Sequence, residues 1–190
     1  KEEALAFFRE HGFLIERNTV DGAWRESLIE MAMEQPSAQD GTYNPISMPH
    51  LVDEKFLQTM RLPQIVSVVE TLVGGVASGI GGEFFFMRPG TPGFTHHQDN
   101  AYIQAPPDEF VSAWTALSDV DKSNGGLTFY PRSHKFGLLP IHKNNEGPYE
   151  GQNPDARSVQ CELPPNCEAL DIEIEAGSTA FFHSLLVHHS

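Results

Sequence analysis

The spacing of apolar residues along the chain changes near residue 75. Before that point apolar residues recur every three or four positions, which is the spacing of an amphipathic helix with one buried face. Segments with this spacing occupy residues 2–10, 20–35 and 63–73, and a short helix that carries Phe56, Leu57 and Met60 is predicted after a possible cap at Asp53. We therefore predict a helical N-terminal part, residues 1–75. It is interrupted by a short strand at 13–15 and by a loop at 36–49, where a glycine and three prolines break the pattern.

Beyond residue 75 the apolar residues form short runs that glycine and proline separate, a pattern typical of strands in an all-β fold. The predicted strands cover residues 83–88, 94–99, 111–117, 127–130, 170–175 and 178–183. In 170–175 apolar and acidic residues alternate, which predicts one buried and one solvated face. We predict a fold that is mainly β with N-terminal helices, in which residues 76–190 form a double-sheet jelly roll or a small barrel.

Composition limits the classes of partner. A chain of 190 residues with 39% hydrophobic and 20% charged residues is expected to form a single soluble domain. Its formal net charge of −14 argues against nucleic acid, which needs a basic surface, and against an anionic membrane. No apolar run reaches the length of a membrane span. The two cysteines, Cys161 and Cys167, are predicted to be free thiols in a reducing cytoplasm.

The residues with the clearest chemical potential are His97 and Asp99, which one glutamine separates, together with the distant His188. Two imidazoles and one carboxylate are the ligands with which non-haem Fe(II) oxygenases hold their metal on one face. In an extended strand His97 and Asp99 would point to the same side, because side chains alternate with a period of two. His188 ends an apolar run that could bring it to them. On its own, an H-x-D pair is weak evidence, and in a random chain a surface loop is the favoured interpretation.

Other histidines and several pocket candidates lie close to these residues in the sequence. His183 lies in a predicted strand and could replace His188 as the third ligand. His96 is expected to point away from its neighbour His97, because adjacent side chains in a strand face opposite sides. Candidates for contact with a substrate are Tyr102, Gln104 and Trp114. For Trp114, a place in the hydrophobic core is the alternative.

Four segments of the chain, in the same order, resemble the phytanoyl-CoA dioxygenase family. They are FTHHQD (94–99), VSAWTAL (111–117), NGGL through PRSHK (124–135) and AGS through FFHSLLVHHS (176–190). The resemblance implies a double-stranded β-helix core and an oxygenase that depends on Fe(II) and 2-oxoglutarate. It also implies that His97, Asp99 and His188 bind the iron, and that Ser190 and Phe94 contribute to binding 2-oxoglutarate.

The same resemblance implies a reaction. The protein is expected to hydroxylate an unactivated C–H bond of a small-molecule substrate and to release succinate and CO2. Asp99 favours hydroxylation, because related halogenases have alanine or glycine in its place and bind chloride there. Two other functions stay open. One is a jelly-roll binding module or an inactive relative, and the other is a cupin-type metal enzyme that does not use 2-oxoglutarate.

The end of the chain departs from the family pattern. The family anchors 2-oxoglutarate with an arginine a short distance beyond the distal histidine, whereas this sequence stops at Ser190. We therefore expect one oxygenase domain, residues 1–190, whose β-helix core is incomplete at its C-terminus. The sequence predicts neither the identity of the substrate nor an oligomeric state.

Overall fold

The computed structural model of the chain describes residues 2–86, 88–144, 157 and 159–190. Its α-helices are α1 (Glu2–His11), α2 (Gly22–Met33), α3 (Pro36–Gln39), α4 (Glu54–Met60), α5 (Pro63–Val73) and α6 (Asn100–Ile103). Its strands are β1 (Phe13–Glu16), β2 (Ile46–Ser47), β3 (Glu83–Phe84), β4 (Val111–Thr115), β5 (Thr128–Phe129), β6 (Ile141–Lys143), β7 (Val159–Cys161), β8 (Leu170–Asp171), β9 (Thr179–His183) and β10 (His188–His189). Helices dominate the first part of the chain and strands the second, as the apolar pattern predicts.

The helices of the N-terminal part begin and end where local chemistry favours it. Asp53 accepts a hydrogen bond from Lys55 N–H at 2.8 Å and caps α4. Pro63 occupies the first turn of α5, where its missing N–H has no helical partner to lose, and Gly74 ends this helix with a φ of +71°. The predicted loop at 36–49 is wrong in part, because it contains α3 and β2. Strand β2 pairs with β3, a contact between distant residues that a local pattern does not reveal.

The central sheet has the antiparallel order β1–β9–β4. Every residue of β9 is buried. Ala180 and Phe182 belong to the main core, whereas Phe181 packs in a second cluster with Ile65 of α5. Phe13 of β1 is part of the same main core. The N-terminal part therefore contributes a strand to the central sheet as well as helices around it.

A second antiparallel sheet has the order β10–β5–β8 and contributes to the same core. Phe129 of β5 is completely buried, and Ile172 and Ile174 are buried just after β8. The acidic residues that alternate with them are exposed, as predicted: Asp171, Glu173 and Glu175. Leu170, the first apolar residue of the same alternation, is exposed as well, so the prediction is wrong at this position. His188 of β10 lies beside this core, with its ring centroid 4.7 Å from that of Phe182. The core thus forms one wall around the distal histidine.

The two cysteines do not form a disulfide bond, as predicted from the sequence. Cys161 and Cys167 are free thiols that lie in a small apolar cluster with Tyr130 and Val187. Burial raises the pKa of Cys161 to about 11, so this thiol stays protonated at neutral pH.

Among the helices of the described residues, none is long and apolar enough to cross a lipid bilayer.

Candidate metal centre

Two segments that are far apart in the sequence lie side by side next to the core. The backbones of His97 and His188 form an antiparallel bridge in which each N–H donates to the other carbonyl, both at 3.0 Å. Asn100 N–H donates to Ser184 O at 2.9 Å, a second backbone contact between the two segments. The rings of His97 and His188 lie close together, with their centroids 4.2 Å apart.

Asp99 lies close to this pair of histidines, but it does not continue a strand as predicted. Its φ of −58° and ψ of −32° are helical, and it immediately precedes α6. The prediction of a strand at 94–99 is therefore wrong, and alternation along a strand does not align Asp99 with His97. Asp99 Oδ1 nevertheless lies 3.5 Å from Nε2 of both His97 and His188. The ligand atoms of the three residues all lie within 4.8 Å of one another, the only such group in the part of the chain that the structure describes.

Hydrogen bonds to backbone carbonyls fix the orientation of both imidazoles. His97 Nδ1 donates to Thr95 O at 2.7 Å, and His188 Nδ1 donates to Leu186 O at 3.0 Å. A carbonyl oxygen only accepts, so each Nδ1 carries a proton, and in the neutral form of either imidazole the lone pair is on Nε2, the nitrogen nearer Asp99. Histidines that bind metals typically have their second nitrogen held in this way.

The carboxylate of Asp99 is held in its charged form. Its Oδ2 accepts a hydrogen bond from Ser112 Oγ on β4. Burial acts to raise the pKa of Asp99, but His188, His97 and the Ser112 hydroxyl together hold this pKa well below its usual value. Sequence reasoning missed Ser112. Its position two residues before Trp114, which packs on the core, could have indicated that it faces inwards.

The donor set fits a divalent first-row metal such as Fe(II). It offers two imidazole nitrogens and one anionic oxygen around a common point. Burial above all, and then the proximity of His97, lowers the pKa of His188 to about 4, so its imidazole is neutral at physiological pH. The side chain of Asp99 is 24% exposed, whereas those of His97 and His188 are 10% and 5% exposed. Solvent and small molecules can therefore reach the group from the side of Asp99.

The sequence matches the family profile described as Phytanoyl-CoA dioxygenase (PhyH) over residues 8–190. The chain belongs to the phytanoyl-CoA dioxygenase family. It is 33% identical over 144 residues to the peroxisomal phytanoyl-CoA dioxygenase of Mus musculus, an alignment that covers 73% of this chain and 41% of the mouse protein. A probable phytanoyl-CoA dioxygenase of Caenorhabditis elegans is 26% identical over 219 residues, which cover 99% of this chain and 69% of that protein. The chain thus matches well under half of the mouse protein.

Solved structures share the fold of this phytanoyl-CoA dioxygenase family member. EvdO2 from Micromonospora carbonacea var. aurantiaca has a TM-score of 0.78 and 18% identity, and the match covers 100% of this chain and 83% of EvdO2. SnoN, the non-heme alpha ketoglutarate dependent epimerase from nogalamycin biosynthesis, has a TM-score of 0.71 and 16% identity, with 99% and 74% covered. At these identities the likeness concerns the fold.

Two of the residues predicted to contact the co-substrate or the substrate, Phe94 and Tyr102, lie beside His97, and a third, Ser190, is bonded to Phe94. The ring of Phe94 is 5.4 Å from that of His97 between centroids, and the ring of Tyr102 is 6.0 Å away. Tyr102 is 45% exposed. Ser190 Oγ accepts a hydrogen bond from Phe94 N–H at 3.0 Å. The structure thus places Phe94 and Tyr102 beside His97 and joins Ser190 to Phe94.

The other two substrate candidates occupy different surroundings. Gln104 ends α6 in a left-handed conformation with a φ of +57°. It lines a separate cleft of about 360 Å³, together with Asn100 and Leu185. The metal-ligand group, which consists of His97, Asp99 and His188, does not line that cleft. Trp114 packs against the main core, which agrees with the alternative considered for it from the sequence.

The competing histidines of this family member point away from the centre. His183 Nδ1 accepts a hydrogen bond from Leu185 N–H at 3.0 Å, and its Nε2 faces Asp108 Oδ1 at 3.4 Å. His96 lines a different cleft of about 660 Å³ that the ligand group does not reach. Of the two candidates for third ligand, the structure brings His188 to the pair and keeps His183 apart.

Gln98, between the two ligands of the H-x-D motif, is a structural residue that sequence reasoning missed. It is 1% exposed. Its side-chain N–H groups donate to Gly137 O at 2.9 Å and Leu185 O at 2.7 Å, and its side-chain oxygen accepts from Leu139 N–H at 2.8 Å. One buried amide therefore links the segment that contains the H-x-D motif to residues 137–139 and to Leu185.

Replacing Gln98 with leucine is expected to lower the free energy of unfolding by about 2–4 kcal/mol, because buried backbone groups lose their partners. Urea denaturation of the metal-free protein measures the change. Gln58→Leu is the matched control, since Gln58 is exposed on α4 and its replacement should shift stability by less than about 0.5 kcal/mol. Equal effects of the two substitutions would contradict the assignment of Gln98 as a buried tie.

Acidification from pH 6.5 to pH 4 is expected to destabilise the metal-free protein. The folded-state pKa of His188 is about 4 and its ordinary value is 6.5, so between these values the unfolded chain binds more protons. The free energy of unfolding therefore falls as the pH falls, by up to about 1.4 kcal/mol per pH unit. Asp99 contributes only at lower pH, since its ordinary pKa is 3.8 and its folded-state pKa is lower still.

Urea titrations at several pH values test this dependence. The slope of unfolding free energy against pH should be shallower in His188→Gln than in the wild type. It should not vanish, because burial also lowers the pKa of His183 and of His134. His142→Gln, which removes an exposed imidazole from β6, is the control. If His188→Gln kept the slope of the wild type, His188 would not contribute to the pH dependence of stability.

Proposed function

We propose that this chain is an Fe(II)- and 2-oxoglutarate-dependent dioxygenase that hydroxylates an unactivated C–H bond of a small-molecule substrate. We further propose that residues 1–190 belong to one oxygenase domain, with a double-stranded β-helix core within residues 76–190. One observation carries the proposal. In a member of the phytanoyl-CoA dioxygenase family, His97, Asp99 and His188 direct two imidazole nitrogens and a carboxylate oxygen to a common point.

The chain's own residues would hold the iron through His97 Nε2, His188 Nε2 and Asp99 Oδ1. When bound, Fe(II) with 2-oxoglutarate and oxygen supplies the oxidising chemistry and releases succinate and CO2. The carbonyl groups of Thr95 and Leu186 keep both imidazoles in the tautomer that can bind a metal. Asp99 adds a negative charge and fills the position that a halogenase leaves to chloride, which supports hydroxylation as the outcome.

The surroundings of His97 support a site for 2-oxoglutarate and for an organic substrate. Ser190 Oγ accepts from Phe94 N–H, so its own hydroxyl hydrogen can be donated to a carboxylate such as that of 2-oxoglutarate. The rings of Phe94 and Tyr102 flank His97 and would limit the access of water to the reacting carbon. We therefore assign Phe94 and Ser190 to the co-substrate, and the half-exposed Tyr102 to the substrate.

Proteins of known structure that share this fold differ in their reactions. SnoN is an alpha ketoglutarate dependent epimerase and SnoK is an alpha ketoglutarate dependent carbocyclase. The fold alone therefore does not select hydroxylation, and the proposal for this chain depends on its own ligand set. Product analysis with a substrate is the measurement that distinguishes insertion of oxygen from epimerisation or ring closure.

Succinate formation by the full-length protein tests the proposal. We expect succinate when Fe(II), 2-oxoglutarate and oxygen are all present, with little formed in the absence of any one of them or in His97→Ala. A library of small organic molecules should contain compounds that accelerate the turnover. If the intact protein neither binds 2-oxoglutarate nor forms succinate, it is a binding module or an inactive relative. Metal-dependent turnover without 2-oxoglutarate would instead indicate a cupin-type enzyme.

A further inference from the structure

The two carboxylate oxygens of Asp99 have different partners. Oδ1 lies 3.5 Å from Nε2 of both His97 and His188. Oδ2 makes a hydrogen bond with Ser112 Oγ on β4. An ionised carboxylate only accepts hydrogen bonds, so the Ser112 hydroxyl is the donor. The two oxygens of this carboxylate therefore differ: Oδ1 lies next to the two imidazoles, whereas Oδ2 is hydrogen-bonded to the Ser112 side chain.

Ser112 belongs to the central sheet. It is the second residue of β4, opposite Phe182 of the fully buried strand β9 in the register of that sheet. Asp99, in contrast, immediately precedes the four-residue helix α6, and its side chain makes no capping hydrogen bond to that helix. The hydroxyl on the sheet thus restrains a carboxylate on a short helical turn, and the restraint acts on one oxygen alone.

We infer that Ser112 is a positioning residue that reserves Asp99 Oδ2, so that Asp99 binds the metal through Oδ1 only. The inference rests on the proposed function, since it concerns the same metal. A carboxylate that binds through both oxygens takes up one more coordination position than a carboxylate that binds through one. By donating to Oδ2, Ser112 keeps that position free for the co-substrate or oxygen, which a facial set of three ligands must leave open.

A purely structural hydrogen bond would affect stability and leave the coordination number unchanged. The number of metal-bound water molecules separates the two roles. We choose Mn(II) as the probe for the full-length protein, because its electron paramagnetic resonance lines broaden measurably in ¹⁷O-labelled water in proportion to the water molecules bound. The measurement needs neither the substrate nor turnover.

In Ser112→Ala we expect one fewer metal-bound water than in the wild type, together with a loss of 2-oxoglutarate affinity of about 10-fold or more, as for other groups that orient metal ligands. Ser112→Thr retains a hydroxyl and should restore both values. Ser112→Cys has a similar volume and a weak donor, and it takes the place of Ser112→Ala if that variant does not fold. Ser133→Ala is the matched control. It removes a buried hydroxyl that accepts from Val187 N–H at 2.8 Å, beside His188, without touching a ligand atom.

The outcomes separate this inference from the proposed function. Unchanged water number and 2-oxoglutarate affinity in Ser112→Ala, or in Ser112→Cys, would overturn the role of Ser112 while the metal site stands. An equal loss of water in Ser133→Ala would also overturn it, because any buried hydroxyl would then have the same effect. A wild type that binds no Mn(II), or whose Mn(II) binding survives His97→Ala, would overturn the proposed function and this inference together.

Discussion

Asp99→Ala is expected to reduce succinate formation to the level of the metal-free protein. The substitution removes the anionic member of the ligand group and leaves two imidazoles that retain metal weakly. It also removes the partner of Ser112 and the charge around which His97 and His188 are arranged. The measurement is the rate of succinate formation by the full-length protein at matched iron loading, so that weaker metal binding does not account for the loss.

Two further substitutions make this result specific. Asp108→Ala is the matched control, because Asp108 is an almost fully exposed carboxylate that faces the imidazole of His183 outside the ligand group. It should leave the rate of succinate formation close to that of the wild type. Asp99→Glu keeps the charge but displaces the carboxylate by one methylene, so activity should also fall strongly. Wild-type activity in Asp99→Ala would mean that Asp99 is no metal ligand.

His188→Ala is expected to weaken the binding of a divalent metal by more than about 100-fold. Loss of a group that merely orients a ligand has effects of about 10- to 100-fold, so loss of the ligand itself should exceed that range. Titration of the apoprotein with Mn(II) or Zn(II) measures the affinity directly, and circular dichroism confirms that the variant is folded.

His183→Ala provides a close comparison, because His183 is a buried histidine on the same stretch of chain. Its imidazole bonds to Leu185 N–H and faces Asp108, away from the ligand group. Its replacement can reduce stability, but the metal affinity of the folded fraction should change by less than about threefold, within the usual scatter between contexts. If His183→Ala lost more metal affinity than His188→Ala, the third ligand would have been assigned to the wrong residue.

Much of the fold was predictable because its signals are local. The cap at Asp53, the proline that starts α5 and the glycine that ends it lie next to the helices that they delimit. The alternation of Ile172 and Ile174 with acidic residues likewise reports directly on burial. Such features depend on residues that are close together in the sequence, so they can be predicted from the sequence alone.

Features that depend on distant segments were not predictable in the same way. Asp99 is helical because the chain turns there, where Asn100 N–H bonds to Ser184 O and the Asn100 side chain bonds to Ala105 at both its oxygen and its nitrogen. Gln104 ends that turn in a left-handed conformation and lines another cleft. The alternation of side chains in a strand therefore does not apply after His97.

The partners of the site residues show the same limit. Ser112 and Gln98 are polar residues of ordinary appearance in the sequence. Their importance comes from the segments that fold against them: Asp99 for Ser112, and the backbone near Leu139 and Leu185 for Gln98. The resemblance of the sequence to a family pointed to the three side chains proposed as metal ligands but not to the groups that orient them.

The antiparallel bridge between His97 and His188 also couples the metal to the exchange of backbone hydrogens with solvent. An amide hydrogen exchanges when the hydrogen bond that protects it opens. The N–H groups of His97 and His188 belong to one bridge, so a single local opening exposes both. A ligand that binds only the closed arrangement raises the free energy of that opening. Metal should therefore slow the exchange of these two amides by the same factor, and the backbone itself would report the occupancy of the site.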